Sequence, residues 1–188
     1  MTVTIDGTTG VSKVQDGSIT ADDFAAGAVT PGITEADIWA LTSDTSSGLV
    51  GPYDFTANVS RATADGAGYF GTGMSWSAGV FTFPSTGIYE VVAHFSASAD
   101  TSSLVYLGPR IHVSADSGSN YNVRESKYQT SSVTSGHMSP QASVILDVND
   151  ASAFRVYFSL ETSAQVDIFS SSTATQGTYF RFIRLGDT

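Results

Sequence analysis

The residue groups in this chain that could do chemistry are few and scattered. Gly66-Ala67-Gly68-Tyr69-Phe70-Gly71 has G-x-G-x-x-G spacing. That spacing serves a dinucleotide only where a buried strand precedes it and a helix follows whose first amides meet the pyrophosphate. Here Gly73, Met74 and another strand-like stretch follow, so the segment reads as a glycine loop. His94, His112 and His137 are far apart, and the first two sit in alternating, strand-like stretches. Solvent-facing or hydrogen-bonded imidazoles fit that placement better than a metal ligand or a base. Asp147, Asn149 and Asp150 form one oxygen-rich group and Asp116 with Asn120 another. Either could hold Ca²⁺, but neither has EF-hand spacing, and the turn reading is favoured. Serines abound without a G-x-S-x-G elbow or a His/Asp arrangement to serve one, and no carboxylate pair is marked for glycoside hydrolysis. Asn58-Val59-Ser60 is a glycosylation sequon, meaningful only in a secretory pathway. The absence of Cys excludes thiolate catalysis, disulfides and Cys-ligated zinc. The expectation is a protein that is not an enzyme and has no cofactor, calcium being the one ion its turns could take.

Composition narrows the class further. The 188 residues, 41% hydrophobic and 11% aromatic, suffice for one core. Eight Lys+Arg against eighteen Asp+Glu give a net charge of −10, which removes the attraction that supplies most nucleic-acid binding. No apolar run approaches the roughly 18 residues of a spanning helix, so membrane insertion is not expected. The opening MTVTIDGTTG lacks a basic region and an apolar stretch, so a signal peptide is not expected either. The chain is rich in Ser and Thr, with Lys only at Lys13 and Lys127. Its surface is therefore hydroxylated rather than charged, as in extracellular β-proteins and virus fibres; the fibres are made in a cytoplasm without a signal peptide.

Two regions differ in character. Residues 1–38 hold few large apolar side chains and contain a short repeat: Ser18-Ile19-Thr20-Ala21-Asp22-Asp23-Phe24 recurs as Gly32-Ile33-Thr34-Glu35-Ala36-Asp37-Ile38. Each copy has the order of a staple and cap opening a helical turn, Ile19 packing on Phe24 and Ile33 on Ile38, with Thr20 and Thr34 as caps and Asp23 and Asp37 at capping-box positions. Such short turns need an outside surface to pack on. Residues 1–38 are therefore read as a docking or oligomerising segment, with Ile19, Phe24, Ile33 and Ile38 as the particle-docking candidates, and 39–188 as the head domain.

Beyond Ile38 the period is two. Phe81 and Phe83 alternate with Val80 and Thr82, and Tyr89, Val91, Ala93, Phe95 and Ala97 with Glu90, His94 and Ser96. Val144, Leu146 and Val148, then Phe154, Val156, Phe158 and Leu160, then Val166 and Ile168 continue the pattern, and Tyr179-Phe180-Arg181-Phe182-Ile183 closes it. Half-buried strands follow from that alternation. Eight to ten of them, with no helical pattern among them, make an all-β antiparallel sandwich or barrel.

One stretch is more specific. Gly79-Val80-Phe81-Thr82-Phe83-Pro84-Ser85-Thr86-Gly87-Ile88-Tyr89-Glu90-Val91 resembles the G-x-F-T-x-P-x-x-G-x-Y signature of the jelly-roll family that includes the complement subcomponent q head and the tumour necrosis factor ligands. Pro84 pre-sets a turn and Gly87 supplies a position open to positive φ. Thr178-Tyr179-Phe180-Arg181-Phe182-Ile183 is similar to the family's closing strand, with Arg181 where the family has Gly and Phe180 where it has Ser. The resemblance spans roughly residues 38 to 188 and implies a trimeric jelly-roll sandwich. Tyr89, Phe95, Tyr157, Tyr179 and Phe182, the trimer-core candidates, would divide between the inner core and the threefold axis. Asp16-Gly17-Ser18-Ile19-Thr20 with Ala25-Ala26-Gly27-Ala28-Val29-Thr30 resembles linkers that precede such heads in phage fibre and appendage proteins.

These readings converge on a bacteriophage virion protein, a tail fibre, head fibre or similar appendage. Its expected partners are itself, as a homotrimer, another virion protein through the N-terminal segment, and a host cell-surface glycan. A capsid-decorating or fibre-assembly part without receptor binding is the alternative. Glycan contact is expected from loops at one end, Asp116 to Asn122 and Thr130 to Pro140, while Trp39 and Trp76 fall away from those loops.

Overall fold

Alternating apolar residues can form a core only if two sheets face each other, and the regular elements among the described residues are all strands. The computed structural model describes residues 32–63, 68–99, 105–170 and 177–188, with the side chains of 46–49 left aside. Ile19 and Phe24, and with them the first repeat copy, lie outside the described residues. Gly32–Thr188 forms one compact unit. Its elements are antiparallel strands, many short because Gly and Ser interrupt them.

The first sheet runs in the order β14 (Gln141–Val148), β8 (Gly87–His94), β17 (Tyr179–Gly186), β1 (Ala36–Leu41), β4 (Val59–Arg61), with β5 (Tyr69–Phe70) also on β1. The second runs β11 (Asn122–Ser126), β10 (Val105–Ser114), β15 (Arg155–Thr162), β7 (Val80–Thr82), β6 (Ser75–Ser77); β12 (Gln129–Ser131) joins β10 and β3 (Tyr53–Asp54) joins β15. A smaller sheet, β13 (His137–Met138), β9 (Ala97–Ala99), β16 (Val166–Ile168), β2 (Thr45–Leu49), completes the set. Non-sequential neighbours such as β8 beside both β14 and β17 are the crossovers of a jelly roll.

The inward residues make one core. Phe158 stacks on Phe180 at 4.2 Å and 4°, and Phe81, Phe95 and Phe55 meet Phe180 at 6.1, 5.9 and 5.8 Å. The buried positions 81, 83, 89, 91, 93, 95, 146, 148, 156, 158, 160, 166 and 168 reproduce the period of two, and Val92 and Ser159 are buried between them on the other face. The turn signature behaves as its residues require: Gly87 has φ +147°, and a Cβ there would stand 2.7 Å from the carbonyl oxygen of Gly186. Pro109 sits mid-strand in β10, where a proline normally breaks a ladder. Its carbonyl accepts from Lys127 N at 3.4 Å, so its missing N–H faces the break between β11 and β12 and removes no sheet bond.

The second repeat copy is not a capped helical turn. Residues 36–41 are β1, paired with β17 from Ala36↔Ile183 to Ala40↔Tyr179 and with β4 at Trp39↔Arg61. Thr34 Oγ1 accepts from Arg184 Nη1 at 3.0 Å, and the Glu35 carbonyl from Arg184 N at 2.8 Å. Strand pairing on both sides satisfies more backbone than one turn of helix can, and it outweighs the local capping pattern. Ile38 is thus a half-buried member of the first sheet and Ile33 an exposed residue ahead of it.

Candidate functional site

Two outward sheet faces and one internal clamp are the features with functional content. On the first sheet, register places Ile38 and Ala40 of β1 beside Arg181 and Tyr179 of β17, and Val92, Glu90 and His94 of β8 beside Ser143, Ile145 and Gln141 of β14. Ile88 and Ile183 extend the same face, and Ile145 is 65% exposed. Exposed Gln141, Ser143 and Asp147 share this face, as does one ion pair, Arg181 Nη2 to Glu90 Oε2 at 3.2 Å, and the Arg181 Nε–H is buried without an acceptor. His94 stacks on Tyr179 at 4.9 Å, and burial lowers its pKa, which favours the neutral ring.

The second sheet turns a different chemistry outward. Arg110 Nη2 pairs with Glu161 and donates to Tyr128 Oη at 3.0 Å, and Tyr128 Oη donates to Glu161 Oε2 at 2.8 Å. The Tyr128 ring fills the space above Gly108, where any Cβ would overlap it, and meets Tyr106 edge-on at 5.5 Å. Farther along, His112 stacks on Tyr157 at 4.1 Å and 10°, and Tyr121 meets Tyr157 edge-on at 4.8 Å. Burial lowers the His112 pKa, the Asp54 charge opposing and Arg110 assisting.

His112 Nε2 lies 2.7 Å from Ser159 Oγ, and Asp54 pairs with Ser159 across the strands. These are the residue types of a hydrolytic triad, but the placement is not that of a nucleophile. Ser159 is 2% exposed and lies mid-strand, with Arg110 on one side and Asp54 on the other, so its neighbouring amides belong to the ladder rather than to an oxyanion hole. The pair reads as a satisfied serine and histidine. Among the described residues, no group of three or more His, Asp or Glu could hold a metal ion.

The clamp lies beside β1. Asp37, 1% exposed, accepts from Arg61 Nε at 3.0 Å, from Arg61 Nη2 at 2.9 Å and from Met74 N at 2.7 Å. Glu35 Oε2 accepts from Thr72 N and Gly73 N at 2.8 and 2.9 Å. The Arg61 guanidinium stands 4.2 Å from the Tyr69 ring and 4.9 Å from that of Trp39, whose own neighbour at 6.2 Å is Trp76. The two Trp therefore serve the protein interior.

Of the trimer-core candidates, Tyr89, Phe95 and Phe182 are fully buried within the chain, whereas Tyr179 faces outward on the first sheet and Tyr157 outward on the second. The inward aromatic next to Tyr179 is Phe180, where the family resemblance has Ser. The two candidate loops do not share an end. β12 pairs with β10 at Val105–Leu107 and β11 at Arg110–Val113, so 116–121 and 132–136 flank opposite ends of a ten-residue strand, about 30 Å apart. Antiparallel return of β11 beside β10 separates them. The tyrosines between them, on segments distant in sequence, were legible only as apolar outliers in polar stretches.

The 116–121 loop is tied by its own polar groups. Asp116 Oδ1 accepts from Ser114 Oγ at 2.6 Å and Asn120 N at 2.9 Å, and Oδ2 from Asn120 Nδ2 at 2.7 Å. Bonds from Ser114 and Asn120 to the ionised form hold its pKa at about 2, below the ordinary 3.8. A carboxyl whose pKa is lowered stabilises its fold above its unfolded pKa and loses that effect as pH falls through the folded one. Carboxyl NMR should therefore show Asp116 titrating near 2, with the loop amides of Gly118 and Asn120 shifting in step; titration near 3.8 would refute the bonding described.

No protein-family model matches the chain, and no curated protein sequence matches it. Solved structures do. Murine APRIL at pH 8.5 superposes with a TM-score of 0.53 at 10% identity, covering 80% of this chain and 99% of that one. Eiger TNF from S. frugiperda gives 0.54 at 11% identity, covering 84% and 95%. These likenesses carry the fold: an all-β antiparallel jelly-roll sandwich resembling the complement q and tumour necrosis factor fold.

Proposed function

We propose that this chain is a non-enzymatic structural protein of a bacteriophage virion, a homotrimeric appendage whose jelly-roll head serves host-surface attachment and whose N-terminal segment docks on another virion protein. The observation that carries the reading is the outward face of the first sheet, where exposed Ile145 and half-buried Ile38, Ile88, Tyr179 and Ile183 lie together around the Arg181–Glu90 pair. A sheet face that mixes large aliphatic side chains with a few polar ones suits a subunit interface, and a closed ring of identical subunits buries it without leaving an edge. The linker-like sequence of residues 16–30 supports the virion assignment. Capsid decoration without a receptor is the second reading; the Ser- and Gly-rich loops favour it, and the exposed Tyr128 of the second sheet favours attachment.

Light scattering at micromolar concentration should give the mass of three chains, and Ile183→Glu should lower that mass while leaving the circular dichroism of the sandwich unchanged. A stable wild-type monomer would overturn the trimer. Docking is read by truncation, cut ahead of Gly32 because Thr34 and Glu35 belong to the head's own bonding. The truncated head should remain trimeric and fail to join particles.

A further inference from the structure

The outward face of the second sheet has no assigned partner and occupies the space between the two loops. We propose that it is a binding platform for an uncharged oligosaccharide, centred on Tyr128; the inference deepens the attachment reading and rests on it. Tyr128 is 50% exposed yet fixed on three sides, by the room left above Gly108, by the edge of Tyr106 and by its hydroxyl between Arg110 and Glu161. An exposed aromatic that is already ordered gives up little side-chain freedom on binding.

The groups around it decide the ligand's chemistry. A guanidinium has five donors and a carboxylate about four acceptor sites, more than the contacts with Tyr128 and with each other use. Arg110 and Glu161, 27% and 24% exposed, can therefore donate to and accept from hydroxyls at the same spot. Their charges cancel, so this pair offers no free cation to an anionic sugar or phosphate. The second aromatic group, Tyr157 with His112 and Tyr121, begins two residues farther along β10, about 7 Å away. An extended, hydroxyl-bearing chain with apolar ring faces matches that spacing of aromatic, polar pair and aromatic. A second copy of the protein is served instead by the outward face of the first sheet.

The test uses the full-length protein on an immobilised array of neutral hexose and N-acetylhexosamine oligosaccharides beside sialylated and sulfated ones, with Tyr128→Ala and Gly108→Ala as variants. Gly108→Ala removes no side chain and only displaces the Tyr128 ring, so it reports position rather than composition. Neutral oligosaccharides should be retained, and each variant should weaken retention about tenfold, as truncating a central aromatic contact does, with the melting temperature and trimer mass held. Retention unchanged in both variants, retention of the anionic sugars alone, or no retention by the wild type would overturn the platform. A trimeric, particle-docked protein that ignores the array refutes this inference only; a monomer that binds it refutes the assembly reading only.

Discussion

Asp37→Ala should destabilise the head by about 3 kcal/mol, the low end for breaking a buried ion pair because Arg61 keeps partial access to water. The carboxylate accepts two guanidinium N–H bonds and the Met74 amide, and its removal leaves that amide and a charge without their partner. The loop at 71–74 would lose one of its two anchors on the N-terminal strand, Glu35 being the other. Urea denaturation should show a lower midpoint with an unchanged slope. An effect below about 1 kcal/mol, the range of an exposed pair, would mean that the clamp does not hold this edge.

Phe180→Ala should cost more, about 3–5 kcal/mol, the range for emptying a buried phenylalanine site. Its ring is fully buried and lies against Phe55, Phe81, Phe95 and Phe158, which come from both sheets and cannot all close on one cavity. A drop of roughly 6–20 °C in melting temperature follows at this chain length. Phe180→Ser, which restores the residue of the resembling family, should be worse, because its hydroxyl enters the core without an assured acceptor. A drop within a degree or two would place Phe180 outside the core.

The long alternating strands were legible because their inward residues recur at every second position, as in Tyr89 to Phe95 and Val156 to Leu160. β1 was not: its inward positions are Asp37, Trp39 and Leu41, and an aspartate on an inner face breaks the period unless its arginine, 24 residues on, is known. The capping pattern of Thr34 and Asp37 was genuine local chemistry that lost to two flanking strands. The second sheet's surface was hidden for a different reason. Tyr106, Tyr121, Tyr128 and Tyr157 converge only through the register of β10 with β11, β12 and β15, and what holds Tyr128 in place is the missing side chain of Gly108. Pattern reading registers residues that are present; it has no signal for room left by one that is absent.

β1, the first strand of the head, is flanked on both sides, with β17 along one and β4 and β5 along the other. Under the proposed attachment role, a force applied through the chain ahead of Gly32 and directed along β1 would meet the ladder bonds on both flanks in shear, so that they must fail together instead of opening one after another. The clamp at Asp37 and Glu35 shares that load at the strand's first residues. Forced unfolding is set by the rate of the unfolding step rather than by equilibrium stability. Under that role, the same stability with β1 at a sheet's end would therefore give a weaker tether.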